Sequence, residues 1–148
     1  MNEKTLEIRT FDELSGREVY EILKARSAVF MMEQSIHYLD MDDVDLRSVH
    51  FAGYDDRGLV TRYLRMYDAE DDKSAVNIGR VLVMDRGDGQ GRDLVSRAVA
   101  YAADKGYRRM CCDAQKQSVP FYEKCGFSVV SDEFIEAGIP HIKMQRDI

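Results

Sequence analysis

Val81-Leu82-Val83-Met84-Asp85-Arg86-Gly87-Asp88-Gly89-Gln90-Gly91-Arg92 joins an apolar run to a helical pattern through a turn rich in glycine. Leu94, Val95, Ala98, Val99 and Ala102 follow at three- and four-residue spacing, so the stretch reads as a strand, a tight turn and an amphipathic helix. Glycine lets main-chain N–H groups converge, the helix start adds its positive end, and Arg86 adds a formal cation. The turn therefore reads as a cradle for an anion such as a pyrophosphate. A Walker phosphate loop is excluded, because Arg92-Asp93 follows Gly91 where Lys-Ser or Lys-Thr would be needed. A dinucleotide fingerprint is a weaker alternative: Gly87-x-Gly89 begins it and Asp113 sits at a suitable distance, but Arg92 stands where the third glycine belongs. A turn that only links strand to helix is the third.

Before this turn, residues 49–54, 59–67 and 75–84 read as strands of an antiparallel meander, the first two joined by Asp55-Asp56-Arg57-Gly58. Residues 6–10 form a first strand. Thr10 or Asp12 can cap a helix that reaches about Met31, with Val19, Ile22, Leu23, the stem of Arg26 and Phe30 on one face. Residues 33–45 lose that period and collect Asp40, Asp42, Asp43 and Asp45, an irregular acidic loop. After the turn, the helix over 89–105 stops at Gly106, and a strand over 110–114 lies parallel to the third strand of the meander. A short helix over 118–124 tolerates Pro120 in its first turn and closes at Gly126. Residues 129–134 and 141–145 finish as an antiparallel pair joined through Gly138-Ile139-Pro140. The expected fold is α/β (α+β), with a mixed, mostly antiparallel central sheet of about six to seven strands flanked by about four helices.

A chain of 148 residues is expected to form a single domain, 1–148, with a substantial core. Charged residues at 32% and apolar residues at 45% fit an ordinary globular protein. No run approaches the roughly 20 apolar residues of a membrane span, and no apolar signal region follows Met1, so a cytoplasmic protein without a membrane partner is expected. Cys111, Cys112 and Cys125 lack the spacing of a disulfide framework or a zinc site; no metal is expected. A net charge of −6 argues against nucleic acid as a partner and suits a cationic ligand.

A second motif, Phe121-Tyr122-Glu123-Lys124-Cys125-Gly126-Phe127, gives the turn its context. Together with Ile78-Gly79-Arg80-Val81-Leu82-Val83 and Arg86-x-x-Gly89-x-Gly91, and with this order of elements, it resembles the GNAT superfamily of acyl-CoA-dependent N-acetyltransferases. Arg26-x-x-Val29-Phe30-x-x-Glu33-Gln34, the Ala114-Gln115 pair and Gly138-Ile139-Pro140-His141 are similar, more narrowly, to ElaA-like members. Only Met84 and Asp85 separate Val83 from Arg86, where the family usually has about four residues, and Gln115 stands where asparagine is often found.

The resemblance implies a GNAT-type sheet that opens beside the strand ending at Val83, with the pantetheine arm of acetyl-CoA lying in the gap. Val81, Leu82, Val83, Arg86, Gly87, Asp88, Gly89, Gly91, Arg92 and Gln115 would then bind the co-substrate. The N–H near Val81 would bond the thioester oxygen and become an oxyanion donor. Tyr122 would be the general acid that protonates the departing CoA thiolate, the alternative being a core tyrosine. A lysine-like amine, with a reference pKa of ~10.4, must lose a proton before it attacks. Glu33 is the favoured base, with a solvated carboxylate at a helix end as the equal alternative; His50 and His141 are rivals at strand starts, and His37 ranks below them. Arg65 and Arg80 can bind a substrate carboxylate or pair with the acidic loop, the pairing being preferred. The expected partners are acetyl-CoA and an amine acceptor, small molecule or peptide, with a homodimer as a possibility. A non-catalytic acyl-CoA sensor is the alternative from another class, and an acetyltransferase acting on aminoacyl-tRNA is disfavoured by the acidic balance.

Overall fold

The computed structural model describes residues 6–85 and 87–148. Four strands form an antiparallel meander: β1 (Glu7–Thr10), β2 (Val49–Tyr54), β3 (Val60–Asp68) and β4 (Ala75–Val83). The β2–β3 turn is tied by the Asp55 carboxylate, which accepts from the N–H groups of Arg57 and Leu59 at 2.9 and 3.0 Å. Helix α2 (Gln90–Asp104) crosses to β5 (Arg109–Gln115), parallel to β4. Helix α3 (Val119–Lys124) leads to β6 (Ser128–Val129), β7 (Phe134–Glu136) and β8 (Ile139–Asp147), and β8 runs antiparallel to β5. The sheet order is β1-β2-β3-β4-β5-β8-β6, with β7 also on β8. Among the described residues, no helix is long and apolar enough to cross a membrane.

The architecture is the mixed, mostly antiparallel sheet expected, with eight strands. The additional strand arises because residues 129–134 do not pair continuously. Val130 N–H donates to the Lys143 carbonyl at 2.9 Å, and then the Ser131 hydroxyl accepts from Lys143 N–H at 2.9 Å in place of a main-chain carbonyl. That substitution ends β6, and pairing resumes at β7. Helix α1 spans Gly16–Arg26 and not residues from Thr10 on. Thr10 caps a single 3₁₀ turn, whereas Ser15 and Glu18 form the capping box of α1, with Glu18 N–H donating to Ser15 Oγ at 3.0 Å and Ser15 N–H to Glu18 Oε1 at 2.8 Å. Past Arg26 the chain widens into a π turn, Ser27–Glu33, closed by Gln34 N–H donating to the Val29 carbonyl.

Alternating side chains divide between two cores. Phe51, Leu64, Met66, Val76 and Ile78 pack with Leu94, Val95, Ala98 and Ala102 of α2 on one face. Ala52, Tyr63 and Leu82 pack with Ile22, Ala25 and Val29 of the first helical segment on the other. Within β4 the even-numbered Val76 and Ile78 face α2, yet Leu82 faces α1. A bulge causes the inversion: Tyr63 pairs with Leu82 and Arg65 with Gly79, so Arg80 and Val81 together oppose Leu64. Arg80 carries the strain of that extra residue, with φ of 51°.

Candidate functional site

Strands β4 and β5 pair only through Ala75–Arg109, Val76–Met110 and Asn77–Cys111. Both strands continue, β4 to Val83 and β5 to Gln115, but they part. The bulge at Arg80 and Val81 lies in the diverging stretch and bends β4 away from its neighbour. From Ile78 onward, the main-chain groups of β4 that face β5 have no strand partner there. A cleft of about 470 Å³ opens in the gap, lined by Ile78, Gly79, Arg80 and Val81 on one wall and by Cys112, Asp113 and Gln115 on the other. Tyr122 of α3 lines it, as do Phe30, Met31 and Gln34 of the widened turn and Glu136, His141 and Lys143 of β7 and β8.

The glycine turn leads from β4 into α2. Gly87 and Gly89 have φ of 99° and 80°, and nothing lies within 4 Å of where a Cβ would stand on either, so the backbone there is bare to an approaching ligand. The first N–H groups of α2 have no partner within the helix. The Asp88 carboxylate engages one of them, accepting from Gln90 N–H at 3.3 Å. Gly91 serves packing: a Cβ there would meet the Phe121 ring at 3.1 Å and Val83 Cγ2 at 3.5 Å. Arg86 lies outside the described residues. Arg92 is exposed and lines a second groove of about 680 Å³ with Lys124 and Arg146, between α2, the end of α3 and β8. Of the three apolar residues ending β4, only Val81 lines the cleft. Leu82 is buried under α1, and Val83 packs near the start of α2.

An ionic network closes one side of the cleft. Buried Arg26 donates from Nε to Asp40 at 2.8 Å and from Nη1 and Nη2 to Asp45 at 2.7 and 3.2 Å. Arg65 grips Asp42 with both terminal nitrogens, at 2.7 and 2.8 Å, and reaches Asp45 at 3.0 Å. Arg80 donates from Nε to Asp40 at 2.8 Å. Hydrogen bonds from Arg65 hold the Asp42 carboxyl at about 2. Burial alone would raise the Asp45 carboxyl, but hydrogen bonds and charge from Arg26 and Arg65 outweigh it and lower it. Arg65 and Arg80 therefore pair with the acidic loop, as preferred from the sequence. The loop's Asp40, Asp42 and Asp45 are neutralised where they stand.

Tyr122 is 8% exposed, and burial pushes its phenol well above the ordinary tyrosine range. Among the described residues its hydroxyl has no hydrogen-bond partner, while its ring meets Phe121 and Phe127 edge-on. Gln115 Nε2 donates to Gln34 Oε1 at 2.8 Å and so ties the end of β5 to the widened turn. Glu33 is exposed at the end of that turn and is not among the residues lining the cleft. His37, also exposed, lies off the cleft too. His50 is 2% exposed with both ring nitrogens engaged: Nε2 donates to the Asp45 carbonyl at 2.9 Å and Nδ1 accepts from Tyr63 Oη at 2.6 Å. Burial lowers its pKa, so it stays neutral and structural. His141 lines the cleft with Nδ1 2.7 Å from the Ile139 carbonyl oxygen. Glu136, which no local pattern marked, and Asp113, which the sequence offered only as the acidic residue of a dinucleotide fingerprint, lie there as well; strand order brings them together.

A family profile described as an acetyltransferase (GNAT) domain matches residues 50–148. Protein ElaA of Escherichia coli is 36% identical over 141 residues, covering 92% of each chain. Its crystal structure superposes with a TM-score of 0.87, covering 96% of this chain and 98% of that one at 32% identity. An acyl-CoA N-acyltransferase from Pseudomonas aeruginosa is similar to the same degree, with a TM-score of 0.87 at 30% identity over 97% of this chain and 99% of that one. A sheet parted beside a bulged strand, a glycine turn at the head of α2 and this pattern of relatives agree: the chain belongs to the GNAT acetyltransferase family, among its ElaA homologues.

Proposed function

We propose that this protein transfers an acetyl group from acetyl-CoA to a primary amine by direct attack in a ternary complex. The observation that carries the proposal is the parting of β4 and β5 after Asn77 and Cys111. It leaves an edge of main-chain donors and acceptors beside a cleft of about 470 Å³, an arrangement that suits an extended, amide-bearing arm. Gly87 and Gly89 stand bare at the start of α2, where diphosphate oxygens would meet the first amides of the helix and its positive end, taking the place of the Asp88 carboxylate on Gln90 N–H. The N–H near Val81 would hold the thioester oxygen and stabilise its negative charge as the amine adds.

Tyr122 would act on the sulfur. Burial keeps its phenol neutral through neutral and alkaline pH, so it remains an O–H donor. The same dry surroundings raise the basicity of a departing thiolate, which favours the proton's transfer. The acceptor end carries the carboxylates Asp113 and Glu136, neither within ion-pair distance of a lysine or arginine among the described residues. With Asp40, Asp42 and Asp45 already matched by arginines, these two carboxylates outnumber the cation opposite Asp113, Lys143, and the net negative charge would attract an ammonium group. Phe30, Ile36, Tyr38 and Leu39 add an apolar rim for the body of the acceptor.

Calorimetry with acetyl-CoA on the wild type and on Gly89→Asp, followed by thiol release across a panel of primary amines, tests this function. Micromolar binding, lost in the variant with the circular dichroism spectrum unchanged, and thiol release with at least one amine are expected. Tight binding with no thiol release from any amine would contradict transfer and favour an acyl-CoA sensor.

A further inference from the structure

We infer that His141 is the base of this site and that its Nε2 takes the proton from the acceptor's ammonium group. The inference rests on the acyl-transfer reading and names the proton acceptor that transfer to an amine requires. The main chain sets the tautomer. Nδ1 lies 2.7 Å from the Ile139 carbonyl oxygen, which can only accept, so in the neutral ring Nδ1 carries the hydrogen and Nε2 the lone pair. The Ala137-Gly138 turn, with φ of 51° and 75°, leads β7 into β8 and so places that carbonyl, and Phe134 stacks on the ring with centroids 6.0 Å apart. His141 is 6% exposed and is held by the Ile139 carbonyl and the Phe134 ring, yet it lines the same cleft as Tyr122 and Val81.

Glu136 acts as a positioning residue. Its Oε2 is 3.8 Å from His141 Nε2, too far for a hydrogen bond with the neutral ring but close enough to stabilise an imidazolium. Its side chain is half exposed, giving the proton a route to solvent. Strand pairing sets Gln115 of β5 opposite His141 and Asp113 opposite Lys143, two residues along, while Tyr122 and the paired Arg65, Arg80, Asp40 and Asp42 line the same cleft. Asp113 and Glu136 bring negative charge to this end of the cleft and Lys143 positive charge, and Gln115 and the neutral Tyr122 bring none. His50 cannot serve, since both its nitrogens are occupied away from the cleft.

The protons balance. The ammonium gives one to His141 Nε2, which releases it to water, and the freed amine attacks the thioester carbonyl. As the C–N bond forms and the C–S bond breaks, the nitrogen loses a second proton, which replaces the one Tyr122 gives to the thiolate.

The test pairs strongly basic amines (diaminoalkanes, spermidine, amino-acid amides) with 2,2,2-trifluoroethylamine and related fluorinated amines, which are largely unprotonated at neutral pH. Thiol release from acetyl-CoA is followed from pH 6 to 9 for the wild type and for His141→Asn, whose side-chain amide can still donate to the Ile139 carbonyl. For strongly basic amines kcat/KM is expected to fall about 100-fold, the usual size of a general-base contribution. The fluorinated amines should be nearly unaffected, the variant's rate with strongly basic amines should rise with pH in step with the free amine, and added imidazole should restore rate. Glu136→Gln, at an exposed position that tolerates change, should give a smaller loss of the same selectivity. Equal rates in wild type and His141→Asn, an equal loss for both amine classes with the shape of the pH profile unchanged, or a loss confined to Glu33→Gln would overturn the assignment while leaving acyl transfer standing. Absence of thiol release by the wild type with every amine, acetyl-CoA being bound, would overturn the transferase reading and this inference together.

Discussion

At the scale of single residues, the site separates into groups whose surroundings are fixed by packing and groups fixed by charge. Tyr122 belongs to the first kind: aromatic neighbours hold the ring and burial holds the phenol neutral. Tyr122→Phe is expected to lower kcat by about 100-fold or more while leaving acetyl-CoA affinity within a factor of two, measured by thiol release and calorimetry. Full turnover by the variant at neutral and alkaline pH would remove the assignment. The glycines of the turn divide similarly. Gly91→Val would drive its side chain into the Phe121 ring, costing about 1–3 kcal/mol. A melting temperature lower by roughly 3 to 10 °C should follow in calorimetric scans. The place of Tyr122 on the cleft was legible in the sequence because it sits in a recognisable segment between Phe121 and Gly126. The roles of Gly89 and Gly91 were not separable there, since one requires positive φ and the other requires knowing that Phe121 lies above it.

At the scale of elements, the strands and helices largely followed from hydrophobic period and glycine stops, with α2 ending just before Gly106 as expected. The misjudged boundaries share a cause. Ser15, 3 residues before Glu18 in the capping box, starts α1, and it is Ser131, again a hydroxyl replacing a main-chain group, that interrupts the last hairpin. Such side-chain substitutions depend on local geometry that periodicity does not record. The acidic loop was visible as composition, but its partners came from three different elements: Arg26 on α1, Arg65 on β3 and Arg80 at the bulge. These pairs give the loop a pH dependence of definite sign. Asp42 and Asp45 have lowered pKa values in the folded protein, so their stabilisation is complete above the ordinary carboxylate range near 4 and is lost as pH falls toward about 2. Urea midpoints should therefore drop between pH 5 and 2, and Asp42→Asn should be less stable at pH 7 with a shallower acid dependence. An unchanged acid profile in that variant would show that the network contributes nothing there.

At the scale of the whole molecule, one extra residue in β4 has wide consequences. It turns Leu82 toward α1 while Val76 and Ile78 face α2, bends the strand where it leaves β5, and points Arg80 at the acidic loop. The sheet can then hold two cores and still open between two of its central strands. Recognition of the family from Arg86-x-x-Gly89-x-Gly91 and the tyrosine segment anticipated this opening, whereas the bulge itself was silent in Ile78-Gly79-Arg80-Val81, where nothing marks a residue as extra until its partners on β3 are known. The cleft's convergence of Tyr122, His141 and Glu136 from α3, β8 and β7 has the same character: it is a product of strand order. Hydrogen exchange of the intact protein, with and without saturating acetyl-CoA, tests most directly that the opening is an acyl-CoA site. Slowed exchange concentrated in residues 78–83 and at the head of α2, with β1 and β2 unchanged, is the expected result. Binding that leaves those amides exchanging at the free-protein rate, or no binding at all, would contradict it.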